Sequence, residues 1–158
     1  MFSGSRRIAG FFSLLFGCFL VTGVGAEPIC LNVQMADTTA HHPIGMGDKL
    51  YIVFPHSIYG SKVEEHFRAT TEGFQLVELR YAEPRLVEFY GHGWAANEDG
   101  RWVVRKRGRL LAILDLRVSP GSWINVIFGT EKLTVKHDSL TDGRARLALS
   151  ACPHSNND

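Results

Sequence analysis

The chain has 158 residues, 17 Lys+Arg against 16 Asp+Glu, a formal net charge of +1 and 45% hydrophobic residues. That balance fits one ordinary globular domain and is too short for two full ones. It excludes a strongly basic nucleic-acid binder and an acidic disordered tail, and a polytopic membrane protein is excluded because only the first segment is long and apolar.

That first segment reads as an export signal. Arg6 and Arg7 form a positive n-region, Ile8 to Val21 is an apolar run, and Val24-Gly25-Ala26 is a small-residue cleavage site before Glu27. The pattern predicts a signal peptide over residues 1–26 and a single β domain over residues 27–158, periplasmic or secreted after cleavage. A retained signal anchor in the membrane is the alternative, since Thr22 to Ala26 extend the apolar run. Only Cys30 and Cys152 remain after cleavage, one near each end. In an exported protein two cysteines most often pair, which predicts a disulfide tying the termini together.

The mature chain alternates in short runs with no sustained 3.6-residue stripe, which predicts an all-β fold. The expected strands are Ile29 to Val33, Lys49 to Phe54, Val63 to Thr71, Phe74 to Tyr81, Leu86 to Tyr90, Arg101 to Arg105, Arg109 to Val118, Trp123 to Phe128, Lys132 to Lys136 and Arg144 to Leu149. Asp37 to Asp48 reads as a long polar loop. Leu110, Ala112, Leu114, Leu116 and Val118 form the strongest single-face alternation. Phe128-Gly129-Thr130-Glu131 reads as a two-residue hairpin turn, and Glu72-Gly73 and Asp99-Gly100 as further turns. The architecture expected is a single-domain antiparallel β-sandwich or a partly closed β-barrel, which periodicity alone leaves open.

Candidate chemistry concentrates between Phe54 and Phe67. Period two places His56 on the inward face with Leu50, Ile52 and Phe54, and Glu65 on the inward face with Val63, Phe67 and Ala69. A hairpin turn near Tyr59 and Gly60 makes His56 and Glu65 expected cross-strand partners, either a polar pair fixing the register or part of a ligand site. Ser57 adjoins them, but neighbours on a strand face opposite ways, so His56 is a poor base for Ser57. No G-x-S-x-G elbow and no ligand-spaced histidine motif occurs. No metal or cofactor is therefore expected, and His41, His42, His66 and His92 read as exposed loop histidines. Gly91-His92-Gly93 is a candidate pocket loop, and Arg105-Lys106-Arg107-Gly108-Arg109 a basic hairpin tip.

Taken together, His56-Ser57-Ile58, Val63-Glu64-Glu65-His66-Phe67, Gly91-His92-Gly93 and Leu116-Arg117-Val118-Ser119-Pro120 resemble the small exported bacterial family called domain of unknown function 1850. The likeness runs from about Ile29 to Leu149, with extra residues between Ala82 and Tyr90 ahead of the Gly-x-Gly. Members are often encoded beside TAXI-type TRAP transporters. The resemblance implies an accessory role in uptake of organic anions and supplies no reaction. With export and the His56/Glu65 pair it leads to a non-enzymatic domain that binds a small organic anion or a TRAP receptor or permease component, while the near-neutral charge argues against nucleic acid. A small periplasmic hydrolase or metal-assisted enzyme using His56 and Glu65 is the alternative expectation.

Overall fold

The computed structural model describes residues 28–106, 108–137 and 142–153. The expected leader over 1–26 lies outside them, as does Arg107 of the basic run.

Two antiparallel sheets form a sandwich. The smaller has the order β2 (Thr38–Ile44), β1 (Ile29–Met35), β12 (Arg144–Ala151), β9 (Ile113–Arg117). The larger runs β11 (Glu131–Lys136), β10 (Trp123–Phe128), β3 (Lys49–Pro55), β4 (Lys62–Thr70), β5 (Gly73–Tyr81), β7 (Arg101–Arg105), β6 (Ala96–Glu98), with the two-residue β8 (Leu110–Leu111) also paired to β5. Leu31 and Val33 of β1 and Leu147 of β12 meet Leu50, Ile52, Val63, Phe67, Phe74, Tyr81 and Val126 of the large sheet in one continuous core. Each fully buried aliphatic or aromatic side chain of this kind stabilises the fold by about 1.5–3 kcal/mol.

The alternation that identified most strands is the consequence of one face packing on that core. Leu50 and Ile52 are buried while Lys49, Tyr51 and Val53 face outward. The turns follow their glycines. Gly129 has φ +53 between the paired Phe128 and Glu131, and Asp99 and Gly100 both have positive φ between Glu98 and Arg101.

Three expectations are corrected. Asp37 to Asp48 contains the strand β2 rather than only loop; it is an edge strand exposed nearly throughout, so it has no alternation to read, and an edge position tolerates Pro43. Arg109 to Val118 is not one strand. Leu110 and Leu111 pair with β5 in the large sheet, whereas Ile113 to Arg117 pair with β12 in the small one. At that change of sheet Leu110 and Ala112 become exposed, and only Leu114, Leu116 and Val118 turn inward.

The third correction matters most for function. Leu86 to Tyr90 is not a strand; Pro84–Phe89 form a helix, α1, with Pro at its first turn. Proline at that place costs no hydrogen bond and its fixed φ suits a helix start. Leu86 and Val87 are buried, so the helix closes one end of the large sheet.

A disulfide joins Cys30 to Cys152, with Cα atoms 4.8 Å apart and 122 residues between them in sequence. Cys30 lies on β1, and Cys152 just past β12 donates its backbone N–H to the Pro28 carbonyl at 3.0 Å. The bridge therefore reinforces the pairing of first and last strands, and it is consistent with an oxidising compartment. Among the described residues, no helix is long and apolar enough to cross a membrane.

Candidate functional site

Pro55 pairs with Lys62, so the β3–β4 turn spans Ser57 to Gly60, and Gly60 supplies its positive φ of +68. The His56 N–H donates to the Ser61 carbonyl and the Gly60 N–H to the His56 carbonyl, both at 2.8 Å. This turn is centred earlier in the chain than the expected one. It places His56 beside Ser61 and sets Glu65 opposite Ile52 on one side and Leu79 on the other. The cross-strand partnership of His56 with Glu65 is thereby corrected: no hydrogen bond or ion pair joins them among the described residues.

His56 is instead the centre of an aromatic cage. The residue is 4% exposed, and its ring stacks on Tyr59 at 5.1 Å and meets the edges or faces of Phe89 at 4.7 Å and Tyr90 at 5.6 Å. Arg85 lies over the Tyr59 ring at 4.3 Å and also pairs with Glu83. Nδ1 of His56 accepts long hydrogen bonds from the Ile58 and Tyr59 N–H groups at 3.3 and 3.4 Å. An accepting Nδ1 puts the ring proton on Nε2, which bonds to no described residue.

Glu65 belongs to the same neighbourhood by a different contact. Burial, eased by Arg109, pushes its carboxyl above the usual range. Burial first and then the Glu65 charge push the Tyr90 phenol up; burial, Tyr90 and Glu65 do the same to Tyr81. Tyr81 and Tyr90 stack at 5.4 Å, so His56 and Glu65 are linked through the tyrosines and not to each other.

The Gly91-His92-Gly93 segment is the stop of α1. Gly91, at φ +67, donates its N–H to Glu88 and His92 donates to Val87, each at 2.9 Å, which is the paired geometry of a Schellman cap. The glycine serves the helix end rather than a ligand, and Gly93 is open to solvent. His92 itself turns back onto Tyr81.

His56 and Ser57 line a cleft of about 350 Å³ with Phe54, Phe89, Tyr90, Trp123 and the stretch Arg117, Val118 and Ser119, together with Ser122. Two segments sixty residues apart in the sequence thus share one concavity. Arg117 makes no ion pair with a described residue. Sequence reasoning missed Phe89 and Tyr90 because it read them as strand; Pro84 at a first helical turn, with Leu86, Val87 and Tyr90 at helical spacing, carried the signal.

A second and larger concavity, about 680 Å³, lies on the outer face of the large sheet, away from the cage residues. There Lys62 bonds Glu64 at 2.7 Å, His66 lies 3.1 Å from Glu64 and 3.0 Å from Glu78, and Arg80 bonds Glu78 at 2.7 Å. Burial opposes ionisation of Glu64, but its bonds to Lys62 and His66 outweigh that and hold the carboxyl below its usual value.

His41 and His42 lie on β2 and His66 on β4, not in loops. His41 Nδ1 is 2.6 Å from Asn32 Oδ1, and His42 Nδ1 is 2.9 Å from Glu131. Among the described residues no group of three His, Cys, Asp or Glu is arranged to hold a metal ion.

No family model, no curated protein and no solved structure matches the chain.

Proposed function

We propose that this protein is an exported, non-enzymatic β-sandwich that binds a small organic anion in the His56 cleft, acting in the periplasm as an accessory to TRAP-type uptake through a receptor or permease component. The observation that carries the reading is the juxtaposition, in one aromatic-walled cleft, of His56, whose Nε2–H bonds to no described residue, with Arg117, which makes no ion pair with a described residue. An Nε2–H that no protein atom accepts is free to donate to an anion entering the cleft, and a hydrogen bond to a charged acceptor contributes about 1.5–3 kcal/mol. The guanidinium supplies the matching charge, Ser119 and Ser122 supply hydroxyl donors, and Phe89, Tyr90 and Trp123 cover an apolar body. The segments that carry the resemblance to domain of unknown function 1850, His56-Ser57 and Leu116 to Pro120, both line this cleft, and the transport link rests on that resemblance. Leader, periplasmic location and partner rest on the sequence pattern and on the disulfide's need for an oxidising compartment.

A hydrolase built on His56 and Glu65 has lost its premise, because the register separates the two side chains.

Calorimetric titration of the exported protein with succinate, glutarate and benzoate tests the reading. Saturable binding of at least one acid is expected, weakened about tenfold or more by Arg117→Gln, the scale of one lost charge-assisted contact. Absence of binding by all three, or binding indifferent to Arg117→Gln, contradicts it.

A further inference from the structure

The pairing registers lay out the outer face of the large sheet as a lattice. One row runs Ile127, Tyr51, His66, Glu78; the next runs Asn125, Val53, Glu64, Arg80. On the other side of the first row stand Lys49 and Arg68, directly opposite each other on β3 and β4. Like charges facing across an antiparallel pair are destabilising unless something neutralises them. Every other charge in this concavity is spoken for: Lys62, Glu64, His66, Glu78 and Arg80 form one continuous chain of ion pairs. Lys49 and Arg68 make no ion pair with a described residue, and both line the 680 Å³ concavity. The surplus charge of the groove is therefore positive and located at one end of it.

One rung from that end, roughly 7 Å along the strands, the floor becomes apolar and aromatic. Tyr51 is fixed there by an edge-on contact with His66 at 4.5 Å between ring centres, and Ile127 lies beside it on β10. A pair of cations next to an aromatic floor selects a molecule with an anionic head and a short apolar body. The concavity has the volume of small-molecule sites. A flat bilayer does not reach the floor of a groove, which favours a free acid over a lipid surface.

We infer that the outer face of the large sheet is a second binding site, separate from the His56 cleft, for a small amphipathic carboxylic acid whose carboxylate sits between Lys49 and Arg68 and whose apolar body covers Tyr51 and Ile127.

The test is an amide-resolved NMR titration of the exported protein with 3-phenylpropionate and with its neutral isostere 3-phenylpropionamide. The acid is expected to move the signals of Tyr51, His66, Arg68 and Ile127 saturably, and the amide to bind about tenfold more weakly or less. The double variant Lys49→Gln, Arg68→Gln should lose about tenfold in affinity for the acid while keeping the wild-type spectrum elsewhere, since both side chains are exposed. Absence of saturable shifts on this face, equal binding of acid and amide, or unchanged affinity in the double variant overturns the proposal. So do shifts confined to the His56 cleft, or a response only to phosphatidylglycerol vesicles.

Discussion

The Tyr81 hydroxyl and Nε2 of His92 are 2.8 Å apart, and Lys106 Nζ stands 3.3 Å from Nδ1 of the same ring. An ammonium only donates, so Nδ1 accepts from Lys106 and Nε2–H donates to the tyrosine oxygen. The neutral ring thus ties the end of α1 to β5 and to the start of the basic run. Burial, and then the Lys106 charge, hold the His92 imidazole below its ordinary 6.5. The unfolded chain takes up a proton near that value which the folded chain still refuses. Stability from this group is present above the unfolded value and is lost as pH falls through the window down to the folded one.

The first prediction follows from that sign. Denaturant unfolding at about pH 7.5 and about pH 5.5 should show a larger loss in the wild type than in His92→Gln, the difference being the proton linkage of one histidine. Equal losses would mean that the ring takes up its proton alike in the folded and unfolded chain.

Glu65 gives the opposite sign. Its carboxyl is raised by burial, so between its ordinary 4.5 and the higher folded value the folded chain holds a proton that the unfolded chain has released. The stability it contributes is fully present below the ordinary value and is lost as pH rises through the folded one. Glu65→Gln should therefore stabilise the protein at neutral pH, by something on the order of 1 kcal/mol, and the gain should vanish in acid. Because Glu65 stands opposite Ile52, a double-mutant cycle with His56→Ala should be additive within about 0.5 kcal/mol. A coupling well above that would restore the direct pair.

This hairpin shows how far the sequence could be read. Period two placed both His56 and Glu65 on the inward face correctly, because burial on one face dictates the alternation. It could not place the turn. A register depends on which residues form the loop, and Ser57-Ile58-Tyr59-Gly60 contains only one turn-forming glycine whose position in the loop is ambiguous. The strands β3, β5, β7 and β10 were legible for the same reason that β2 was not: they pack on the core, whereas an exposed edge strand carries no pattern. The cage was hidden behind the misread helix. Arg117 was visible only as part of a motif, since its place beside His56 depends on how the two sheets meet.

Gly91→Ala tests the reading of the Gly-His-Gly segment. A Cβ there meets no neighbour, so the cost is the left-handed backbone alone, about 1 kcal/mol of stability. Ligand binding in the cleft should be unchanged. Lost binding at unchanged stability would return the glycine to a pocket.

Cys152→Ser should lower stability by about 4 kcal/mol on the chain-entropy account of a loop this long. Non-reducing mass analysis of the wild type should find Cys30 joined to Cys152. The staple lies on the first and last strands, so affinity at the cleft should persist in the variant under native conditions.

Whether His56 offers a donor to an anion is read most directly from the nitrogen spectrum of its imidazole during a succinate titration. A neutral ring protonated at Nε2 is expected, whose Nε2–H signal moves saturably as the acid is added and needs about tenfold more acid to move in Arg117→Gln. A ring protonated at Nδ1, or an Nε2–H that ignores the acid, would contradict that expectation.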